Sequence, residues 1–262
     1  MLKICVAGAA GRMGTAIIQE AKAKGISTVG AIEAPKSPVI GKTLKELGIS
    51  DQDTRIMSAD EITQAAKDAD VYISFTAPTA EMQNLPAIVK MGKKIVLGTT
   101  GFTEEQNKQI RNEIKKVPTV FSPNYSVGVN VFFKIAQILK AFPEEYNCSI
   151  SEIHHNAKKD APSGTALKLG EIIADARGYS KLVHGREGIS IRKPEYLEIV
   201  SMRAGGVPGI HDLIIAGPFE MLRIEHTAFS RSVLAQGAVV AAEWIAKQEK
   251  PEIYTMATVL GL

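Results

Sequence analysis

The residues with the clearest chemical potential lie close together in residues 152–166. Imidazole and ammonium side chains can donate protons, and they are supplied here by His154, His155 and Lys158. The same segment contains a small polar turn formed by Ser163, Gly164 and Thr165. If a helix begins at that turn, its backbone N–H groups and its dipole favour an anion. Proton donors beside an anion site indicate a small substrate that carries carboxylate groups.

Regular secondary structure is expected on both sides of this segment. Alternating and β-branched residues predict a strand over residues 148–153. Apolar residues at helical spacing then predict a helix that contains Ala166, Leu167, Leu169, Ile172, Ile173 and Ala176. The polar residues are therefore expected in a loop between a strand and a helix. Asp160 or Ser163 can cap this helix, and Pro162 suits a position near its first turn.

The segment has two other possible interpretations. A basic, solvated loop before an ordinary helix cap would contain similar residues, but the adjacency of proton donors and an anion site favours catalysis. Zinc binding is disfavoured because adjacent histidines point apart on a strand and no Cys-x-x-Cys motif accompanies them. Neither histidine has a histidine partner four positions away. We therefore expect no metal.

A second segment of interest lies near the start of the chain, where glycines recur at every third position of residues 8–14. Such a turn between a strand and a helix lets the backbone approach a pyrophosphate closely. A merely flexible turn would explain the glycines alone equally well. The context favours a nucleotide, because a predicted strand over residues 27–32 ends at Glu33, where an acid that binds the ribose is expected.

Strands and helices then alternate as far as residue 121, which predicts a parallel, doubly wound sheet. Ligands bind at the carboxyl ends of the strands in such sheets. Three polar loops follow successive strands, at residues 75–78, 98–101 and 122–125. Each of them alone is consistent with an ordinary turn, but together they predict the rim of a cofactor site.

The pattern becomes strand-rich in the second half of the chain. Strands are expected over residues 189–192, 196–202, 212–216 and 221–228. Strands without intervening helices predict a mostly antiparallel second sheet. The histidines outside the first segment are interpreted as structural: His184, His211 and His226.

Residues 154–166 resemble the signature His-His-x-x-Lys-x-Asp-Ala-Pro-Ser-Gly-Thr-Ala of the dihydrodipicolinate reductase family, with every fixed position present. The resemblance extends over nearly the whole chain. It implies an α/β fold with a doubly wound parallel Rossmann-type sheet and a second α+β domain. The dinucleotide-binding domain would comprise residues 1–127, completed by 233–262. Residues 128–232 would form the domain for substrate binding and oligomerisation.

The resemblance also implies an activity, the NAD(P)H-dependent reduction of hydroxy-tetrahydrodipicolinate to tetrahydrodipicolinate in diaminopimelate and lysine biosynthesis. His154 and Lys158 would donate the proton. The substrate, a small dicarboxylate, would be bound by His155, Ser163, Gly164 and Thr165. The expected cofactor contacts are Gly8, Ala9, Ala10, Gly11, Arg12, Met13, Gly14, Glu33, Phe75, Gly98, Thr99, Thr100, Ser122, Pro123, Asn124 and Tyr125. Relatives form homotetramers, and the same assembly is expected here.

The choice between NADH and NADPH depends on the residues around Glu33. Its carboxylate can accept hydrogen bonds from both ribose hydroxyls of NADH but repels the additional phosphate of NADPH. Ala34 and Pro35 follow it, where many relatives have a basic residue. Arg12 and Lys36 are cations that can compensate for this repulsion. We therefore expect both cofactors to work, with NADH used at least as well as NADPH.

Composition excludes several other classes of protein. A net charge of +3 and 23% charged residues over 262 residues do not indicate nucleic-acid binding. No apolar run approaches the roughly 20 residues that a membrane helix requires. Cys5 and Cys148 are too few and too distant to suggest a disulfide framework, which fits a reducing cytoplasm. The first strand begins almost at Met1, so no signal peptide is expected.

Two alternative functions remain open at this point. Another two-domain dehydrogenase would share the glycine turn and Glu33, but it would not be expected to combine His154, His155 and Lys158 with the Ser-Gly-Thr turn. A nucleotide sensor without catalytic activity would keep the cofactor site and tolerate the loss of Lys158. The presence of every expected catalytic group disfavours the sensor.

Overall fold

The computed structural model describes residues 1–262, and twelve strands and eight α-helices account for its regular structure. The strands are β1 (Lys3–Ala7), β2 (Ser27–Glu33), β3 (Ile56–Ser58), β4 (Val71–Ser74), β5 (Lys94–Leu97), β6 (Thr119–Phe121), β7 (Asn147–His154), β8 (Lys181–Val183), β9 (Tyr196–Arg203), β10 (Gly209–Ala216), β11 (Met221–Ala228) and β12 (Ile253–Tyr254). The helices are α1 (Arg12–Ala23), α2 (Ile62–Ala65), α3 (Pro78–Lys90), α4 (Glu104–Ile114), α5 (Val127–Ile138), α6 (Gly164–Arg177), α7 (Ser232–Ile245) and α8 (Met256–Leu260). Short 3-10 turns occur at Ala59–Glu61 and Leu139–Ala141.

The chain forms two compact units. The first unit comprises Met1–Val127 and Ser232–Leu262, and the second comprises Gly128–Arg231. The sequence placed the return to the first unit at residue 233, whereas the chain re-enters it at Ser232. No helix combines the length and the apolar character that a bilayer-spanning segment requires.

The first unit contains a seven-stranded sheet in the order β12-β6-β5-β4-β1-β2-β3, and every pairing is parallel. Successive side chains of β1 enter different cores, because neighbouring residues of a strand point to opposite faces. Ile4 packs in the core formed with α1 and α7, whereas Cys5 packs in the core formed with α3 and α4. Helices therefore cover both faces, and the predicted doubly wound Rossmann-type sheet is confirmed.

The second unit contains a five-stranded sheet in the order β11-β10-β7-β9-β8. The prediction of a mostly antiparallel sheet is wrong. β11, β10 and β7 pair antiparallel, but β7, β9 and β8 pair parallel, because the chain crosses over through α6 between β7 and β8. The predicted strand over residues 189–192 is also absent. Ile189 and Ile191 alternate with polar residues as strand residues do, but both side chains are exposed and the segment pairs with no strand.

The end of β7 matters for the chemistry of the second unit. β7 ends at His154, one residue later than predicted, so this histidine lies on the sheet and not in the following loop. Its position is determined by pairing with Arg203 of β9, and the preceding residue, Ile153, also pairs with Ile210 of β10. A sheet position restricts a side chain more than a loop position does.

Candidate active site

The glycine turn of the first unit lies between β1 and α1. Gly8 has a φ of +67°, which glycine adopts without strain. A Cβ on Gly14 would lie 2.0 Å from the carbonyl oxygen of Gly8, so only glycine lets α1 pack this closely. Gly11 is the N-cap of α1 and provides no side-chain hydrogen bond. Because N–H groups in a first helical turn lack acceptors within the helix, and no acidic residue lies there, the turn can bind an anion.

An acid and a cation flank this turn. Glu33 is the last residue of β2, and its Oε1 accepts a 2.8 Å hydrogen bond from the backbone N–H of Ala10. Arg12 is the first residue of α1, and its side chain is exposed. The turn therefore has an acceptor suited to hydroxyl groups and a cation suited to phosphate.

A cavity of about 610 Å³ opens at the glycine turn. Of the residues expected to contact a cofactor, it is lined by Gly8, Gly11, Arg12, Met13, Gly14, Glu33 and Phe75. A second cavity, of about 230 Å³, is lined by Thr99, Thr100 and Pro123 together with neighbouring residues. Neither cavity is lined by Ala9, Ala10, Gly98, Ser122, Asn124 or Tyr125. Lys36 also lies outside the lining of the larger cavity.

Three of the expected cofactor residues support one another at the rim of the sheet. A Cβ on Gly98 would lie 2.0 Å from the Phe75 ring, so glycine makes room for that ring. The rings of Phe75 and Tyr125 make an edge contact, with centroids 5.0 Å apart. Tyr125 is buried, and its hydroxyl donates to the carbonyl oxygens of Leu97 and Val120, each 2.9 Å away. The Tyr125 side chain therefore supports the rim from behind, and only its backbone is left to contact a ligand.

Glu152 and His154 form the centre of the site in the second unit. They lie two positions apart on β7, so they project to the same face of the sheet, and both are buried. Arg203 donates to both carboxylate oxygens of Glu152, at 3.0 and 2.9 Å, and the backbone N–H of Ser163 donates at 3.1 Å. Burial raises the pKa of Glu152, but hydrogen bonds from Arg203 and His154 outweigh burial and hold that pKa below its ordinary value. Glu152 is therefore ionised at neutral pH.

The carboxylate of Glu152 determines which nitrogen of His154 can exchange a proton with a ligand. His154 Nδ1 is hydrogen-bonded to this carboxylate, so Nδ1 carries the hydrogen and Nε2 is the exchangeable position. Burial lowers the pKa of His154 below its ordinary value, although Glu152 opposes this shift. A Cβ on residue 209 would lie 3.0 Å from Nε2, and residue 209 is a glycine. Gly209 therefore leaves the exchangeable nitrogen unobstructed on that side.

Ser163 connects this centre to α6. It is the N-cap of the helix, and its Oγ accepts a 3.2 Å hydrogen bond from the backbone N–H of Ala166. The same Oγ lies 3.1 Å from Nε2 of His211. Burial lowers the pKa of His211 to about 3, and its ring makes an edge contact with His154 at a centroid distance of 5.0 Å. The structure thus brings His211, which the sequence analysis interpreted as structural, into the site.

The first turn of α6 offers open space beside a helix N-terminus. Gly164 begins the helix and is exposed, and nothing lies within 4 Å of the position that a Cβ would occupy. Thr165 follows it and is partly exposed, and the first turn contains no acidic residue. Ser163, and not Asp160, caps the helix, so no carboxylate of the chain occupies this position. A carboxylate of a ligand fits here by charge and by space.

Lys158 lies in the loop between β7 and α6. Its ammonium group forms a two-pronged ion pair with Asp160, with Nζ–O distances of 2.8 and 2.9 Å. Arg203 donates to the backbone carbonyl of Asp160 at 2.6 Å, and it is also the partner of Glu152. The loop that holds Lys158 is therefore attached to the Glu152 centre through Arg203.

His155 contacts Arg231, which does not belong to the Glu152 centre. Its Nε2 lies 3.3 Å from a guanidinium nitrogen of Arg231, whose side chain is exposed. Arg231 adds a cationic group beside His155 in the second unit, and it was not anticipated from the sequence. An imidazole with an exposed guanidinium is a suitable pair for a carboxylate.

Glu152, His154 and His211 could also be considered as a metal site, because their donor atoms lie within 4.8 Å of one another. Arg203 already donates to both oxygens of Glu152, and Ser163 donates to one of them. A cation would have to displace these donors. The donor set therefore fits a hydrogen-bond network for proton transfer better than it fits a metal ion.

The residues that sequence reasoning missed come from other strands of the sheet. Glu152 could have been found from the sequence, because it lies two positions before His154 and residues two apart on a strand share a face. Arg203 and His211 could not have been found in this way, because they lie on other strands and their closeness to the site depends on how those strands pair with β7. Arg203 is opposite His154 on β9, and His211 is opposite Glu152 on β10.

Comparison with known proteins identifies a family over both units. The models described as "Dihydrodipicolinate reductase, N-terminus" and "Dihydrodipicolinate reductase, C-terminus" match residues 2–125 and 128–260. The chain is 42% identical to 4-hydroxy-tetrahydrodipicolinate reductase of Methanosarcina barkeri (strain Fusaro / DSM 804) and 43% identical to that of Methanosarcina acetivorans, with full coverage of both proteins in each comparison.

Solved structures show the same fold. Dipicolinate-bound dihydrodipicolinate reductase from Paenisporosarcina sp. TG-14 is similar, with a TM-score of 0.75, 22% identity and coverage of 97% of each chain. The resemblance inferred from the His-His and Ser-Gly-Thr signature is thereby confirmed. By the match of both family models and by full-length identity above 40% to curated relatives, the chain belongs to the dihydrodipicolinate reductase family and is an oxidoreductase.

Proposed function

We propose that the chain reduces 4-hydroxy-tetrahydrodipicolinate to tetrahydrodipicolinate with a reduced nicotinamide cofactor, in the biosynthesis of diaminopimelate and lysine. The reaction takes up one hydride and one proton and releases one water. The main support is the direct connection between a proton-exchanging histidine and an anion site. Glu152 accepts hydrogen bonds from both His154 and the backbone of Ser163, where α6 begins. Binding of an anion and transfer of a proton are thus organised by one carboxylate.

The residues of the first unit fit a dinucleotide. When bound, the reduced nicotinamide supplies the hydride. The first turn of α1 would bind the pyrophosphate, because Gly11 leaves it uncapped and Gly14 lets it pack closely on the strand end. Glu33 would accept hydrogen bonds from the ribose hydroxyls in exchange for the N–H of Ala10. We propose NADH and NADPH as alternative cofactors, with NADH used at least as well.

The residues of the second unit fit a dicarboxylate. Backbone N–H groups of Gly164 and Thr165 would bind one carboxylate, and the open space at Gly164 leaves room for it. His155 would bind the other carboxylate with the help of Arg231, which lies 3.3 Å from it. The Ser163 hydroxyl holds the helix start in place and contacts His211.

His154 would donate the proton from Nε2. In the protein without ligand, burial keeps its pKa low, so the ring is neutral at pH 7. A bound dicarboxylate brings negative charge close to the ring, which favours the imidazolium form and prepares it to donate. Glu152 stabilises that cation through Nδ1. Lys158 would serve as a second proton donor once its ammonium group exchanges Asp160 for the substrate.

Assembly and location are part of the proposal as well. We propose a homotetramer, because the sheet of the second unit exposes the apolar side chains of Val200, Met202 and Leu222. We also propose that the protein acts in the cytoplasm, which is consistent with its two cysteines, both unpaired and buried. Light scattering at micromolar protein concentration measures the assembly, and a monomeric mass would contradict it.

A coupled assay tests the proposed reaction. The unstable substrate is generated enzymatically in the cuvette, and the absorbance of the reduced cofactor is followed after the chain is added. Consumption should depend on the chain, on the substrate-generating enzyme and on a nicotinamide cofactor. Dipicolinate, the ligand bound to the similar reductase from Paenisporosarcina sp. TG-14, should inhibit. Failure to consume either NADH or NADPH with fresh substrate would contradict the proposal.

A further inference from the structure

The first unit contains a buried carboxyl group that the proposed reaction does not use. Glu81 lies in the first turn of α3, and its side chain is fully buried. Glutamate is almost never buried completely without partners, because removal of a carboxyl group from water is costly. The location of its partners therefore indicates what the group does.

All hydrogen-bond partners of Glu81 are hydroxyl groups. Its Oε1 is hydrogen-bonded to the hydroxyls of Ser74 and Thr76, and Oγ1 of Thr99 lies 3.1 Å away. Its Oε2 has no hydrogen-bond partner. Burial raises the pKa of Glu81, and no cation forms an ion pair with it. Three hydroxyls therefore offset part of the cost of burying this carboxyl group, and Glu81 in turn links the three hydroxyls through one oxygen.

The two threonines belong to different loops, each at the carboxyl end of a strand. Thr76 follows β4 and lines the larger cavity, whereas Thr99 follows β5 and lines the smaller one. The backbone N–H of Thr76 donates to Oγ1 of Thr99 at 2.9 Å. Glu81 and this bond therefore hold the two loops together at the edge of the sheet where ligands bind.

Thr76 also reaches the glycine turn. A Cβ on Gly8 would lie 3.1 Å from Cγ2 of Thr76, so the methyl group of Thr76 packs against the turn. The hydroxyl group of Thr76 is thus held by Glu81, and its methyl group limits the space beside Gly8 in the glycine turn. Thr79, Ala80 and Gln83, which surround Glu81 on α3, line the same cavity. The part of the cavity lining that Thr76 and the start of α3 contribute therefore depends on where Glu81 holds Thr76.

We propose that Glu81 is a positioning residue of the cofactor site, which sets the shape of the cavity by holding Thr76 against Gly8 and Thr99 beside Thr76. The identity of the ligand rests on the proposed function, but the arrangement of the loops does not. Glu81 acts as the common hydrogen-bond acceptor of the three hydroxyl groups, and an ion pair has no part in this role.

The test compares three variants with the wild type. Glu81→Leu removes the polar group at similar volume, and Glu81→Gln keeps an oxygen that can face the hydroxyls. Leu85→Ala is the matched control, because Leu85 is buried on the same helix, one turn further on, and does not line the cavity. The dissociation constants of NADH and of dipicolinate are measured separately, together with the melting temperature.

Glu81→Leu should weaken NADH binding about tenfold, because one to two hydrogen bonds that order the loops are lost. Dipicolinate binding should not change, since its proposed residues lie in the second unit. Glu81→Gln should bind NADH within about threefold of the wild type, because it restores an acceptor oxygen. Leu85→Ala should lower the melting temperature and leave both dissociation constants unchanged.

Equal NADH binding by Glu81→Leu and the wild type would overturn the proposal, and so would an equal loss of binding in Leu85→Ala. If Glu81→Leu does not fold, Thr76→Val tests the same contact and should weaken NADH binding several-fold. A wild-type protein that binds no nicotinamide cofactor would instead contradict the proposed function, and it would remove this role of Glu81 with it.

Discussion

The starts of α1 and α6 both suit an anion, but they are built in opposite ways. Gly11 caps α1 without a side chain, and glycines at positions 8 and 14 keep the turn close to the strand end. Ser163 caps α6 with its hydroxyl, and behind it lies the buried carboxylate of Glu152. One site is made by the absence of side chains and the other by buried ionisable groups.

The difference matches the function that we propose for each site. A pyrophosphate needs backbone donors and space, and its own charge supplies the attraction. Proton transfer needs a group with a defined tautomer and an adjusted pKa, and His154 receives both from Glu152 and from burial. All five histidines of the sequence lie in the second unit, between His154 and His226. Chemistry that depends on imidazole is therefore confined to that unit.

The largest effect that separates the two sites is expected from His154→Ala. Turnover should fall by roughly 10²–10⁴-fold, the usual contribution of a general acid. Cofactor binding should stay unchanged, because the glycine turn contributes no group to proton transfer. Steady-state kinetics with a direct titration of NADH measures both quantities, and Lys158→Ala tests the second donor. Near wild-type turnover in both variants would exclude the proposed proton donors.

The pH dependence of stability should also differ between the units. The pKa of His211 is lowered from about 6.5 to about 3 in the folded protein. As the pH falls, His211 therefore takes up its proton at a higher pH in the unfolded chain than in the folded protein. The contribution to stability is complete above about pH 6.5 and is lost as the pH falls towards 3. The second unit should lose about 1.4 kcal/mol per pH unit in this range from His211 alone.

Trp244, the only tryptophan, lies on α7 and reports on the first unit. The protection factors of amide hydrogens in the second unit, corrected for the intrinsic exchange rate at each pH, should therefore fall with acid before the fluorescence of Trp244 changes. His211→Gln should reduce this acid sensitivity, whereas the exposed His184→Gln serves as the control. Simultaneous loss of both units, with no effect of His211→Gln, would show that the buried histidine does not set acid stability.

A smaller effect is expected from Gly209→Ala. The new Cβ would lie 3.0 Å from His154 Nε2. Either the imidazole ring must shift or the methyl group obstructs proton transfer from Nε2. Turnover should fall about tenfold, since misplacement of a catalytic group costs on this scale or more. Gly206→Ala, in the loop that precedes β10, is the matched control, because nothing lies within 4 Å of its Cβ position. Equal turnover of the two variants would mean that the space at Nε2 is not required.

The smallest effect concerns the choice of cofactor. Arg12 lines the larger cavity and Lys36 does not, so Arg12 is the cation that can pair with the 2′-phosphate of NADPH. Arg12→Ala should lower kcat/KM for NADPH about three- to tenfold and change the value for NADH less. Lys36→Ala should change neither. Specificity constants at physiological salt decide the point, because salt screens exposed contacts.

Two results would contradict this interpretation of cofactor choice. An equal fall for NADH and NADPH in Arg12→Ala would assign Arg12 to the pyrophosphate. A wild-type preference for NADPH of a hundredfold or more would mean that repulsion by Glu33 is fully overcome.

Local spacing was sufficient to predict most elements of the first unit and the composition of the second site. A buried strand followed by glycines and an amphipathic helix has few structural solutions, and the parallel sheet follows from the alternation of strands and helices. The failures lie where local pattern does not determine pairing. Residues 189–192 alternate like a strand but remain exposed, and β7 pairs parallel with β9, which alternation does not reveal.

Residue types and their local order can be read directly from the chain: the glycine turn, Glu33 at the end of its strand, and the His-His segment with its Ser-Gly-Thr turn. The groups that act on them are known only from the fold. Arg203 and His211 reach Glu152 and His154 because β9 and β10 pair with β7 in one register. Glu81 reaches Thr99 because β4 and β5 are neighbours in the sheet. The periodicity of side chains is a property of one strand or helix, whereas the register between strands depends on packing across the entire sheet.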